Sequence, residues 1–112
     1  MKLITESNIL QETSNTTPMI IEFQSSLCPP CIMMEEVMYN LESKINNTRM
    51  MFGQVDIDTE PRLEQMFKID ATPTFIVVQD GKIIGRHEGK MGEKELRNFI
   101  CESIVGDQAR QG

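Results

Sequence analysis

The apolar positions of this 112-residue chain alternate between two spacings. Residues 2–5 are a short strand candidate, and residues 6–13 suit a helix with Ile9 and Leu10 facing inward. Asn15-Thr16-Thr17-Pro18 is turn chemistry. Met19-Ile20-Ile21-Glu22-Phe23 is a near-continuous apolar run of strand length, the pattern of a strand covered on both faces. After Cys28-Pro29-Pro30-Cys31, the residues Met34, Val37, Met38, Leu41 and Ile45 recur on one face of a long helix. Residues 50–57 read as a strand, and Pro61 opens a short helix with Leu63, Met66 and Phe67 inward. Residues 74–79 form the most strand-like segment. Asp80-Gly81 then links it to a strand over 82–86, the strongest short hairpin signal. The last helix starts near Glu93 with Leu96, Phe99, Ile100 and Ile104 inward, and a frayed tail is expected over 106–112. The order β-α-β-α-β-α-β-β-α predicts an α/β fold, a mixed central sheet flanked by helices on both faces.

Length and charge narrow the classes. The length fits one domain, 1–112. Seventeen acids against eleven bases leave a net charge of −6, which argues against nucleic acid and against an anionic membrane face. No apolar run approaches the ~20 residues of a membrane span, and no apolar stretch follows Lys2 as in a signal peptide. The expected location is a reducing cytoplasm, where three cysteines are not a disulfide framework.

The chemistry lies in Cys28 and Cys31. Pro29 and Pro30 suit only the first helical turn, so Cys28 sits at the helix N-terminus. There the dipole and free N–H groups favour a thiolate. Cys28 is expected to reach solvent and act as nucleophile, with Cys31 one turn further in and more buried. Two other readings stand beside this. The pair could ligate zinc or an iron–sulfur cluster, for which the chain offers only Cys101 and His87 as further ligands. It could also be two inert cysteines. The expectation is no metal and no cofactor.

The run from Ile20 to Cys31 resembles the strand, loop and active-site start of thioredoxins, and Ala71-Thr72-Pro73-Thr74-Phe75 resembles their cis-proline loop. Val55-Asp56-Ile57-Asp58, Gln79-Asp80-Gly81-Lys82 and Gly89 also fall where that family has similar residues. The resemblance implies the thioredoxin fold and a Cys28–Cys31 redox disulfide, with Glu22 as the buried acid that moves a proton to or from Cys31. It implies a cis Thr72–Pro73 bond, where the residues alone favour trans. Leu27, Pro29, Pro30, Thr72, Pro73 and Gly89 would form the substrate surface. Thr72 would offer its backbone to an extended segment. It further implies protein disulfides as substrates, an NADPH-dependent flavoprotein reductase as electron source, and a monomer.

The departures are specific. Leu27 replaces a tryptophan, Pro29-Pro30 replaces Gly-Pro, Ile32 replaces a basic residue, Glu22 replaces an aspartate, and Gln54 stands where a lysine is usual. They leave the redox potential and partners open, and keep alive an adaptor with little redox turnover. Glu22 facing the core would be desolvated and its pKa raised; the alternative is a carboxylate reaching solvent at the strand's edge. Ile32 and Met33 are expected to form an apolar rim with Leu27. His87 is expected on the surface of a strand. Cys101, off the apolar stripe, is either a buried-edge thiol or exposed enough to link two molecules.

Overall fold

The computed structural model describes residues 1–111. The elements run β1 (Lys2–Leu3), α1 (Ile9–Thr13), β2 (Met19–Gln24), α2 (Pro29–Lys44), β3 (Met51–Asp56), α3 (Pro61–Met66), β4 (Thr74–Gln79), β5 (Lys82–Glu88) and α4 (Glu93–Gln111). The five strands form one sheet in the order β1-β3-β2-β4-β5. β3 pairs parallel with both β1 and β2, whereas β4 pairs antiparallel with β2 and β5. The sheet is mixed, as the alternation of periods predicts, but the α3 connection from β3 to β4 is not a parallel crossover: β4 runs opposite to β3, so the hairpin is not the sole antiparallel pairing.

β2 lies at the centre, which explains its unbroken apolar run: all but Gln24 are buried. Alternate residues feed two cores. Ile20 joins Met34, Met38 and Leu41 of α2 and Leu96 and Ile100 of α4 on one face. Met19, Ile21 and Phe23 join Ile9 of α1 and Leu63 of α3 on the other. Helices therefore cover both faces. At the β4–β5 hairpin, Asp80 and Gly81 both take positive φ, 54° and 74°, as a two-residue primed turn requires.

Four expectations change. The first helix begins only at Ile9, because the Asn8 side chain accepts from the Thr5 N–H and donates to the Leu3 carbonyl, closing a turn instead. On so short a helix one face meets the sheet; Ile9 takes it and Leu10 is 80% exposed. Met66 is likewise exposed, since α3 reaches the core through Leu63 while Phe67 packs on Phe23 with ring centroids 5.2 Å apart. The tail from Gly106 to Gln111 is helical rather than frayed, and Gly112 lies outside the described residues. Buried Asp107 anchors it: Lys82 Nζ lies 2.8 Å from its Oδ1, and Gln111 Nε2 donates to its Oδ2.

Candidate active site

β2 emerges from the sheet at Gln24, and α2 begins after a loop of four residues, 25–28. Asp58, just beyond β3, holds the intervening loop. Its carboxylate accepts from the hydroxyls of Ser25 (3.0 Å) and Ser26 (3.2 Å) and from the Ser26 N–H (3.3 Å). Leu27 then projects into solvent, 89% exposed. Cys28 is the N-cap of α2, with extended backbone (φ −114°, ψ 103°). Pro29 and Pro30 occupy the next two positions, so the first N–H of the helix belongs to Cys31. That one group points at both the carbonyl oxygen (3.0 Å) and the Sγ (3.3 Å) of Cys28. An N-cap side chain ordinarily accepts from the second or third helical N–H. Here the second is absent and the third is shared.

Cys28 and Cys31 are joined as a disulfide, their Cα atoms 5.2 Å apart. Both are buried, 7% and 4% exposed. Cys31 is the more buried, as expected, but Cys28 does not reach solvent as expected, because it does not stand free. Its Sγ lies 3.4 Å from the Thr72 carbonyl oxygen. In the disulfide that sulfur has no proton to donate; in the reduced thiol it does.

Glu22 is fully buried and does not reach solvent at the strand's edge. It shares its face of β2 with Ile20, the face that α2 covers. Burial pushes its carboxyl up from 4.5 to about 7, and the negative charge of Glu35 adds to the rise. Gln54, opposite Glu22 in the β2–β3 register, pulls the other way. Neither carboxyl oxygen makes a hydrogen bond of good geometry, so the loss of water prevails.

Beside the disulfide runs an open groove of about 490 Å³ lined by Pro29, Pro30, Met33, Thr72, Pro73, Gly89 and Lys90. The Thr72–Pro73 bond is cis. Gly89 donates its N–H to the Pro73 carbonyl at 2.8 Å and has φ 100°, a conformation that disfavours any residue with a Cβ. Leu27, Ile32 and Met33 are exposed around this end of α2. The structure thus gathers Leu27, Cys28, Pro29, Pro30, Cys31, Thr72, Pro73 and Gly89 around the start of α2, and places Glu22 on the face of β2 that α2 covers.

It leaves two others outside. His87 is half-buried on β5 against the Phe99 ring, 5.7 Å between centroids. Cys101 is a free, exposed thiol on α4, not a buried-edge one. Among the described residues no three His, Cys, Asp or Glu side chains gather into a metal-binding group. No pattern in the linear order marks the Asp58 tether, the action of Glu35 on Glu22, or Lys90 in the groove. These depend on contacts between segments remote along the chain, and exposed acids and lysines look alike in a sequence.

Residues 1–102 match the family model described as Thioredoxin. Thioredoxin H5 of Arabidopsis thaliana is 36% identical over 70 residues, 62% of this chain and 58% of that protein. The bifunctional thioredoxin reductase/thioredoxin of Mycobacterium leprae is 27% identical over 91 residues, 81% of this chain but 20% of that protein. The matched stretches thus span less than two thirds of these relatives' own lengths. In fold, the chain superposes on the crystal structure of Malassezia sympodialis thioredoxin with a TM-score of 0.84 at 24% identity, covering 92% of this chain and 90% of that one. By the family model over nearly its whole length, and with Cys28 and Cys31 paired at the start of α2, this chain belongs to the thioredoxin family.

Proposed function

We propose that this protein is a thiol–disulfide oxidoreductase that reduces disulfides in protein substrates through Cys28 and Cys31. One observation carries the reading: the dithiol pair borders an open peptide-sized groove, on a helix that covers the strand face bearing a buried carboxyl raised to about 7. The thiolate of Cys28 attacks one sulfur of the substrate disulfide, and the other sulfur leaves and takes a proton. Cys28 is the attacking residue because its Sγ borders the groove-lining Thr72 and receives the Cys31 N–H at the helix N-terminus. Cys31 then yields its proton to Glu22 and attacks Cys28 Sγ. The second substrate thiol is released and the Cys28–Cys31 bond closes. Two electrons pass to the substrate. A carboxyl near 7 is divided between its two forms at neutral pH, so it can both take and return the proton.

Three further parts complete the reading. The electron source is an NADPH-dependent flavoprotein reductase, which accords with a relative whose name joins reductase and thioredoxin in one chain. A cytoplasmic location suits an exposed, unpaired Cys101. A monomer suits a site assembled within one chain.

The deciding experiment is insulin reduction in dithiothreitol, followed by turbidity. Acceleration that depends on Cys28 supports the reading. A rate equal to dithiothreitol alone refutes it in favour of an adaptor. A monomeric mass in sedimentation equilibrium and a cytoplasmic signal on fractionation test the last two parts.

A further inference from the structure

Resting on the oxidoreductase reading, we propose that Lys90 is a specificity residue that selects substrate segments bearing a carboxylate close to the disulfide cysteine. Lys90 is the only charged residue lining the groove; the other lining residues are prolines, a methionine, a threonine and a glycine. It is exposed, and among the described residues it makes no ion pair. Its backbone is fixed on both sides. The Gly89 N–H is bound to the Pro73 carbonyl at 2.8 Å, and the Met91 N–H points at Met34 Sδ at 3.3 Å. One tether reaches the proline loop and the other reaches α2, the two walls of the groove. The α-carbon is therefore held at the groove wall, while the flexible four-carbon stem carries the ammonium to whatever lies within reach.

The chain as a whole is acidic, with a net charge of −6, so an acidic partner meets general repulsion. That repulsion is screened beyond ~8 Å at physiological ionic strength. A contact pair at Lys90 is screened less, so preference is set by where the carboxylate sits in the substrate rather than by total charge. An extended segment advances ~3.3 Å per residue and turns alternate side chains the same way. A glutamate two residues from the cysteine therefore comes within a lysine's reach on one side of the groove.

The test uses disulfide-linked peptide isomers of identical composition, so net charge is constant. Glutamate is placed two residues before the cysteine, two residues after it, or at a remote end. The prereduced protein reduces each in a single turnover. One proximal isomer is expected to react about two- to fivefold faster than the remote one, the size of an exposed ion pair. The gain disappears in Lys90→Ala, persists in Lys90→Arg and becomes a deficit in Lys90→Glu. Equal rates for all isomers, or a gain that survives Lys90→Ala, overturn the proposal while leaving the oxidoreductase reading intact. Failure of the wild type to reduce any isomer overturns that reading itself, and the specificity with it.

Discussion

The two sides of the Cys28–Cys31 pair are opposites. On the outer side, Leu27, Ile32 and Met33 put apolar surface into water beside a groove with one cation. On the inner side, Glu22 puts a carboxyl where water does not reach and leaves it without a well-formed hydrogen bond. Each placement is unfavourable taken alone: exposed apolar groups forgo burial, and a buried acid forgoes solvation. Together they divide the chemistry of one dithiol. In the proposed mechanism the outer side meets the partner at Cys28, and the inner side handles the proton at Cys31. Neither cysteine is distinguished by exposure, since both are buried. Their neighbours distinguish them.

The largest effect should come from breaking this division at the sulfurs. Cys28→Ser is expected to lower disulfide reduction to background, whereas Cys31→Ser captures substrate as a mixed disulfide visible on non-reducing gels. Capture by the Cys28→Ser protein instead would reverse the roles.

Next is the inner side. Glu22→Gln is expected to slow turnover about a hundredfold, a typical share for positioned acid–base help, and to remove the rise in rate through pH 7. Stability should move the other way. The folded carboxyl titrates near 7 against 4.5 when ordinary, so the folded state prefers the protonated form. Its contribution is complete below pH 4.5 and is lost as pH climbs toward 7. The gain from Glu22→Gln is thus near zero at pH 4 and approaches roughly 3 kcal/mol at pH 8. Urea denaturation at the two pH values measures it, and equal gains at both would place the Glu22 carboxylate in solvent.

The outer side is tested through Leu27. A typical thioredoxin reductase should couple weakly to a rim with Leu27 in place of a large aromatic. Restoring the anchor in Leu27→Trp should improve coupling by up to about thirtyfold, the worth of one central interface residue at ~2 kcal/mol. NADPH oxidation with a heterologous reductase reads this out. Wild-type turnover equal to that of a standard thioredoxin would make the rim neutral.

The smallest effect concerns the boundary itself. Pro30→Ala restores the missing second N–H of α2 and gives Cys28 Sγ a donor of its own. A hydrogen bond to a charged group is worth ~1.5 kcal/mol or more, so alkylation of reduced Cys28 by iodoacetamide at pH 6 should quicken about three- to tenfold. An unchanged rate would show that the shared Cys31 N–H already suffices.

Much of this was legible in the linear order of residues. Two periods, a Pro-Pro helix start and an Asp-Gly turn place every strand and helix in order. A lone acid inside an apolar run marks Glu22. The misreadings share a cause. Leu10 and Met66 stand next to well-buried neighbours on helices of five and six residues, and periodicity cannot say how wide a face such a helix presents. Cys101 was ambiguous for a different reason: on the 19-residue α4 its exposure depends on how that helix packs against β5.

The features readable from residue order are therefore local: element order, the cysteine pair on a helix N-terminus, and the hairpin. Backbone sterics, capping and side-chain period act within a few residues, and a single chain displays them directly. Only the tertiary structure decided the strand order β1-β3-β2-β4-β5, the Thr72 carbonyl beside Cys28, the Asp58 tether on Ser25 and Ser26, and Lys90 alone in the groove. Those pairs stand tens of residues apart, and they meet because packing two cores against one sheet leaves the ends of its central strands and the start of α2 nowhere else to go.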